Sequence, residues 1–259
     1  MRAIKSRAWK IDWHCKLPSK IKVYTGRGKC FAPYKLALSV QQEDSLTVFW
    51  KFYSGAESIE TARKDLTLLK KRNELLDKDS DGAIEAVWVD NCCAVRPKIH
   101  SITGPDTLVL LDTFHWQQRW DDILFDKNSE KTVTFQKLMR RAAFITEDSE
   151  YARAKAFLIR RNKKQPSPSE IYKEAKSTIP PADMLEKRVM AVIHALMQKD
   201  LQADQNRIIS SLTHEVPTRF FKRGAQTLNL IMNQLEHVKK GCLSDPPDYK
   251  LKIFMTNPK

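Results

Sequence analysis

The sequence predicts an α/β protein, in which a mixed β-sheet flanked by helices is followed by a mainly helical region. Apolar and polar residues alternate near the N terminus, which is typical of a half-buried strand, and residues 34–40 and 46–53 are apolar, β-branched and aromatic runs typical of a hairpin. Two apolar runs, 84–90 and 107–112, each end in an acid and precede a helical pattern, as buried strands that feed helices do. Beyond residue 125 the apolar residues recur at helical spacing.

The first strand is predicted over residues 9–14, where three apolar side chains alternate with three polar ones: Trp9, Ile11 and Trp13 against Lys10, Asp12 and His14. Residues 34–40 and 46–53 predict a hairpin. Residues 58–76 predict a helix. Its apolar stripe consists of Ile59, Ala62, Leu66, Leu69 and Asn73 or Leu76. We expect Ile11, Val40, Phe49, Val89 and Leu110 to be buried in the sheet.

Five further helices are predicted in the second half, over residues 135–145, 151–161, 169–177, 184–201 and 219–240. Ser169 is the candidate N-cap of the third of these helices. The stripe of the fourth is Met184, Leu185, Val189, Val192, Ile193 and Leu196. The stripe of the last is Phe221, Ala225, Leu228, Met232 and Leu235.

Composition points to an acidic partner. The formal net charge is +14 and the sequence pI is near 9.5, which favours nucleic acid or an anionic membrane surface. No run of 18 apolar residues and no signal peptide is present, and the five cysteines are not spaced as a secreted disulfide framework. We therefore expect an intracellular protein that binds nucleic acid rather than a membrane.

The positive charge lies at the two ends of the chain. Residues 1–35 contain ten Lys or Arg and a single acid, Asp12. Asp90 ends a strongly apolar strand, where ligand sites of open α/β sheets tend to lie. Two carboxylates on neighbouring strands can hold divalent ions for phosphoryl transfer. An Asp after a strand also commonly begins a turn or caps a helix.

Residues 87–120, VWVDNCCAVRPKIHSITGPDTLVLLDTFHWQQRW, resemble eukaryotic DDE transposases of the Mutator-like or Kyakuja-Dileera-Zisupton-like kind. In that family the second catalytic acid ends a strand as V-x-D, here VWVD (87–90). A C/D-x-x-H motif follows, here DTFH (112–115). Residues 35–58 look like the second and third strands that follow the first catalytic acid, with Asp12 in the position of that acid.

The resemblance implies an incomplete RNase H-like catalytic core over residues 1–125 and a basic helical extension over residues 126–259. Asp12 and Asp90 would be the catalytic and metal-binding acids for Mg²⁺ or Mn²⁺. The implied partner is DNA, the implied process is DNA recombination, and the implied location is the nucleus. A homo-oligomer is compatible with this assignment.

Several polar residues are candidate DNA contacts: Asp112, His115, Arg119, Arg140, Arg141, Arg160, Arg161, Lys163 and Lys164. For each basic side chain taken singly, a solvated surface charge is the simpler explanation. The Asp112 and His115 pair can be a DNA-facing or structural motif in which the acid orients the histidine. A helix N-cap with an incidental histidine explains it equally well.

The tail, HVKKGCLSD (237–245), is similar to a stretch that precedes G-T-N-R-N-E in such proteins, whose Glu would be the third metal ligand. This chain continues as PPDYKLKIFM instead. The expectation is a transposase-derived DNA-binding protein, the remnant of a two-metal strand-transfer enzyme, without catalytic activity. The alternative is a basic helical protein-interaction module with no nucleic-acid role.

Overall fold

The architecture is taken from a computed structural model of the chain. It describes residues 6–26, 29–42, 46–76, 83–162, 165–209 and 219–245. The chain forms two compact units, Met1–Asp112 and Thr113–Lys259. The domain boundary predicted from the sequence follows residue 125, which lies within the second unit.

The first unit is built on a five-stranded mixed sheet. Its strands are β1 (Ala8–His14), β4 (Leu36–Gln41), β5 (Thr47–Tyr53), β6 (Ala86–Val89) and β7 (Leu108–Leu111). Two short strands between β1 and β4 form a separate hairpin, β2 (Val23–Tyr24) and β3 (Cys30–Phe31). The order across the sheet is β5-β4-β1-β6-β7. Because β4 is antiparallel to β1 and β5, whereas β1, β6 and β7 are mutually parallel, β4 alone runs against the other four. The predicted mixed sheet is confirmed.

The sheet core matches the expectation at four of five positions. Ile11, Val40, Val89 and Leu110 are buried. Phe49 is only half-buried, because β5 is an edge strand of the sheet with one neighbour instead of two.

Two helices accompany the sheet in the first unit, α1 (Ile59–Leu76) and α2 (Cys92–Thr103). The buried residues of α1 are those predicted: Ile59, Ala62, Leu66, Leu69 and Asn73. Polar contacts attach α1 to β5, since Asp65 accepts hydrogen bonds from the Tyr53 hydroxyl at 2.7 Å and from Lys51 Nζ at 2.9 Å. Burial raises the pKa of Tyr53, and the hydrogen bond to Asp65 raises it further.

The second unit is helical, as predicted. Its helices are α3 (Thr113–Arg119), α4 (Glu130–Ala143), α5 (Asp148–Asn162), α6 (Pro168–Glu174), α7 (Ala182–Ile209) and α8 (Ala225–Lys239). A row of buried aromatic rings runs through its core, with neighbouring centroids 5.6 to 6.0 Å apart: Trp116, Trp120, Phe135 and Phe221. These distances are typical of favourable aromatic pairs.

The N-cap of α6 is Ser167, and the prediction of Ser169 is wrong. The Ser167 side chain accepts a hydrogen bond from the Glu170 N–H, and the Glu170 carboxylate accepts from the Ser167 N–H. This reciprocal capping box, with Pro168 at the first helical position, starts the helix two residues earlier than the sequence pattern suggested.

The start of the last helix was also predicted wrongly. Residues 219–223 are not helical, and Gly224 itself has a φ of 122° just before α8 begins. Phe221 forms a bridge with Leu124 instead. The carboxylate of Asp200, which is 3% exposed, accepts hydrogen bonds from the N–H groups of Phe220 at 2.8 Å and Phe221 at 3.0 Å.

Helices α5 and α6 form an arm with its own small apolar cluster of Ala154, Ile171 and Ala175. The chain enters and leaves this arm at a single paired position. Ile145 and Thr178 exchange two backbone hydrogen bonds of 2.8 Å, and the hydroxyls of Thr146 and Ser177 lie 2.8 Å apart beside them.

Among the described residues, no helix combines the length and the apolar character that a membrane crossing requires.

Asp245 should make stability depend on pH. Burial raises its pKa to about 6, against the opposing effect of the hydrogen bond from the Ile179 N–H. Because the folded state then binds a proton more tightly than the unfolded state, stability is lost as pH rises from about 4 to 6. We expect Asp245→Asn to stabilise the protein by about 2 kcal/mol at pH 7 and by almost nothing at pH 4. Urea unfolding at both pH values measures this, and an equal effect at both would contradict it.

Candidate acidic site at the sheet edge

Three aspartates lie at the carboxyl ends of three adjacent parallel strands. Asp12 is near the end of β1, Asp90 follows β6, and Asp112 follows β7. In parallel strands these ends meet at one edge of the sheet, which is where open α/β sheets place their ligands. All three residues belong to the first unit.

The strand register brings Asp12 and Asp90 to the same end of the sheet. Lys10 on β1 is opposite Trp88 on β6, and this is the last pair between the two strands. Asp12 and Asp90 each follow that pair by two residues along the chain, Asp90 in the turn directly after β6. Neighbouring strands are about 4.8 Å apart. The two acids therefore lie at the carboxyl ends of neighbouring strands, Asp12 on β1 and Asp90 directly after β6.

Asp112 continues this row on the third strand. Val89 on β6 is opposite Leu111 on β7, and the Asp112 N–H donates a 2.9 Å hydrogen bond to the Val89 carbonyl. Asp90 and Asp112 are therefore level with each other. The sequence analysis did not place Asp112 among the catalytic acids.

A lysine on β1 forms an ion pair with the acid that follows β7. Lys10 Nζ lies 2.9 Å from Asp112 Oδ2, and the Asp112 side chain is 1% exposed. Lys10 and Asp12 are two residues apart on one strand and therefore share a face. The ion pair gives Asp112 a fixed countercharge that a divalent cation would otherwise supply.

Asp12 has neighbours of its own on the sheet. His14 Nε2 lies 3.8 Å from Asp12 Oδ2 and 2.9 Å from Ser39 Oγ. Ser39 is the β4 partner of Asp12. The Asp12 side chain is 28% exposed and Asp90 is exposed, so both are accessible from solvent.

The donor chemistry of Asp12 and Asp90 fits a hard divalent cation. Mg²⁺ is usually bound by one or two protein carboxylates and keeps several waters. Asp112 does not add a third ligand as it stands, because its carboxylate is buried against Lys10.

The predicted DNA contacts lie in different settings. Asp112 is buried, so its side chain is not presented to a phosphate. His115 and Arg119 are half-buried on α3. Four arginines are exposed at the carboxyl ends of α4 and α5: Arg140, Arg141, Arg160 and Arg161. Lys163 and Lys164 lie outside the described residues.

Lys10 is the residue that sequence reasoning missed. Its alternation with Asp12 already indicated a shared face of β1. Its partner could not be identified without the strand order, since Asp112 is about a hundred positions away in the chain and two strands away in the sheet.

In comparisons with known proteins, the chain matches no protein-family model, no curated protein and no solved structure.

Proposed function

We propose that this chain is a transposase-derived, nuclear DNA-binding protein with an RNase H-like core, whose residues 1–259 do not cleave or join DNA. The observation that carries the proposal is the placement of Asp12 and Asp90 at the carboxyl ends of the adjacent parallel strands β1 and β6. Carboxylates in this arrangement are suited to holding divalent cations for phosphoryl transfer on nucleic acid. A protein-interaction module would have no need of it.

The sheet agrees with the family resemblance in the placement of its strands. The first acid lies on β1, the next two long strands, β4 and β5, add to one side of β1, and the second acid ends β6 on the other side. Asp12 and Asp90 would hold Mg²⁺ or Mn²⁺, which would supply Lewis-acid stabilisation of a phosphate oxygen.

Lys10 supports the proposed lack of catalysis. Its ammonium group is paired with Asp112, the third acid of the row, so a positive charge already occupies part of the edge. Two-metal chemistry needs enough carboxylates to hold both ions. Among the described residues of this edge, only Asp12 and Asp90 are accessible for that role.

DNA binding is supported by the charge and by its exposure. The chain carries a net charge of +14, and Arg160 and Arg161 are exposed at the end of α5. Residues 153–164 contain six Lys or Arg and no acid. Such clusters neutralise phosphates and release counterions, so that binding weakens steeply with salt.

The test measures duplex DNA binding at several salt concentrations and nicking with Mg²⁺ and with Mn²⁺. We expect salt-sensitive binding and no nicking. Changing Arg160 and Arg161 together to Glu should reduce the slope of log affinity against log salt by about 2, which corresponds to two phosphate contacts.

A matched control separates contact from overall charge. Lys239 and Lys240 lie near Glu186 and Glu236, and changing both to Glu alters the net charge equally. This control should leave the salt slope almost unchanged. An equal reduction of the salt slope in both double variants would refute contact between α5 and the DNA phosphates. Metal-dependent nicking that Asp90→Ala abolishes would refute the inactive assignment.

A further inference from the structure

An aromatic surface lies on the same sheet face as Asp12. Ser39 is the β4 partner of Asp12, and Trp50 is in turn the β5 partner of Ser39. Cross-strand partners point to the same face, so the three residues form one row. With neighbouring strands about 4.8 Å apart, Trp50 lies about 10 Å from Asp12. Both residues belong to the first unit.

Three rings form this surface, which we call the ring surface: Tyr34, Trp50 and Phe52. Phe52 is stacked with Tyr34, with centroids 5.3 Å apart and planes inclined by 25°, and it meets Trp50 edge-on at 5.2 Å. Trp50 is 63% exposed. The opposite face of β5 is the one bonded to α1 through Lys51 and Tyr53.

The chain beside the ring surface is strongly cationic. Residues 15–35, which connect β1 to β4, contain six Lys or Arg and no acid. Lys35 is exposed and directly follows Tyr34. The hairpin within this connection also exposes Tyr24 and Phe31, at 73% and 52%.

We infer that the ring surface binds a single-stranded segment of nucleic acid, with an unpaired base stacked on Trp50 and the lysines of residues 15–35 on its phosphates. This inference rests on the proposed DNA-binding function and names the form of DNA that the acidic edge receives. Aromatic faces combined with a basic groove are suited to single strands, because a duplex hides the faces of its bases. The cationic connection complements phosphates and disfavours a basic or neutral protein partner.

The test compares two fluorescent oligomers of equal charge, a twenty-nucleotide oligo-dT and an abasic strand of the same length, by anisotropy. Stacking of one base is worth a factor of about 5 to 150 in affinity. We expect Trp50→Ala to weaken binding of oligo-dT about tenfold and to leave binding of the abasic strand unchanged. Trp50→Phe should retain most of the affinity, whereas Trp50→Leu, which keeps apolar area but no ring, should not.

Tyr172→Ala is the matched control, because Tyr172 is a similarly exposed ring in the second unit. It should not affect oligo-dT binding, and far-UV circular dichroism should show each variant folded. Equal affinities of Trp50→Ala and the wild type for oligo-dT, or of Trp50→Leu and Trp50→Phe, would overturn base stacking. If base stacking is overturned in this way but the wild type still binds duplex DNA in a salt-sensitive manner, the proposed DNA-binding function is retained. Failure of the wild type to bind any DNA would overturn both.

Discussion

Replacing Lys10 by methionine should destabilise the protein by about 3 kcal/mol, because it leaves a buried carboxylate without its countercharge. Asp112 is 1% exposed and its partner Lys10 lies 2.9 Å away. Methionine preserves the length and most of the volume of the lysine stem, so lost packing contributes little. Urea unfolding followed by circular dichroism gives the change in free energy.

The double variant Lys10→Met with Asp112→Asn is the control for this result. Its second substitution removes the buried charge, so most of the lost stability should return. A loss of similar size in the double variant would mean that Lys10 acts through packing alone. That outcome would contradict the ion pair as the source of the effect.

The same variant probes the acidic edge as a cation site. Without Lys10 the three carboxylates at this end of the sheet lose the ammonium group that is paired with Asp112. Millimolar Mg²⁺ should then stabilise Lys10→Met more than the wild type, because a cation that binds the folded state alone raises its stability. Equal stabilisation of the two proteins by Mg²⁺ would contradict a contribution of Asp112 to metal binding, and the absence of stabilisation in both would argue against metal binding by any of these acids.

We expect Asp200→Ala to lower the free energy of unfolding by about 3 kcal/mol, since two buried backbone N–H groups then lose their acceptor. The Asp200 carboxylate accepts from Phe220 and Phe221, and this holds the 219–222 segment against residues 123–125, where Phe125 N–H donates to the Phe220 carbonyl at 3.0 Å. Asp200→Asn should cost less, because the amide oxygen still accepts a hydrogen bond.

Asp183→Ala provides the comparison on the same helix. Asp183 is exposed in the first turn of α7, where its charge interacts with the helix dipole only weakly, by about 0.5 kcal/mol. A thermal or urea unfolding series should therefore rank Asp200→Ala far below Asp183→Ala in stability. Similar values for the two would show that the carboxylate of Asp200 does not hold this segment.

The sheet and α1 could be predicted from the sequence because their burial follows simple periods. Two-residue alternation identified β1, and 3.6-residue spacing identified the buried stripe of α1, including the polar Asn73. Asn73 is buried because its Oδ1 accepts a hydrogen bond from the Ser6 N–H at 2.8 Å. The sequence pattern predicted the position of Asn73 in the buried stripe, but it did not identify Ser6 as its hydrogen-bond partner.

The face of α8 could not be predicted in the same way. The apolar stripe pointed to Leu228 and Met232, which are 52% and 54% exposed, whereas Thr227 and Gln234 are buried. Apolar residues lie on more than one side of this helix, and packing in the second unit decides which side is covered. Hydrophobic periodicity alone does not contain that information.

The candidate site was predicted in part for the same reason. The family resemblance and the apolar runs identified Asp12 and Asp90 on separate strands. Whether the two are level depends on strand order and register, which are tertiary properties. The role of Lys10 depends in addition on the burial of Asp112, which no local pattern indicates.

The closed base of the α5–α6 arm makes this segment a module that evolution or an engineer can exchange. Residues that exchange both backbone hydrogen bonds, as Ile145 and Thr178 do, have Cα atoms about 5.5 Å apart, a gap that a short turn can bridge. The length and sequence of the arm can therefore vary while its attachment stays the same. The Arg160 and Arg161 cluster is thus carried on a segment with a paired base and an apolar cluster of its own.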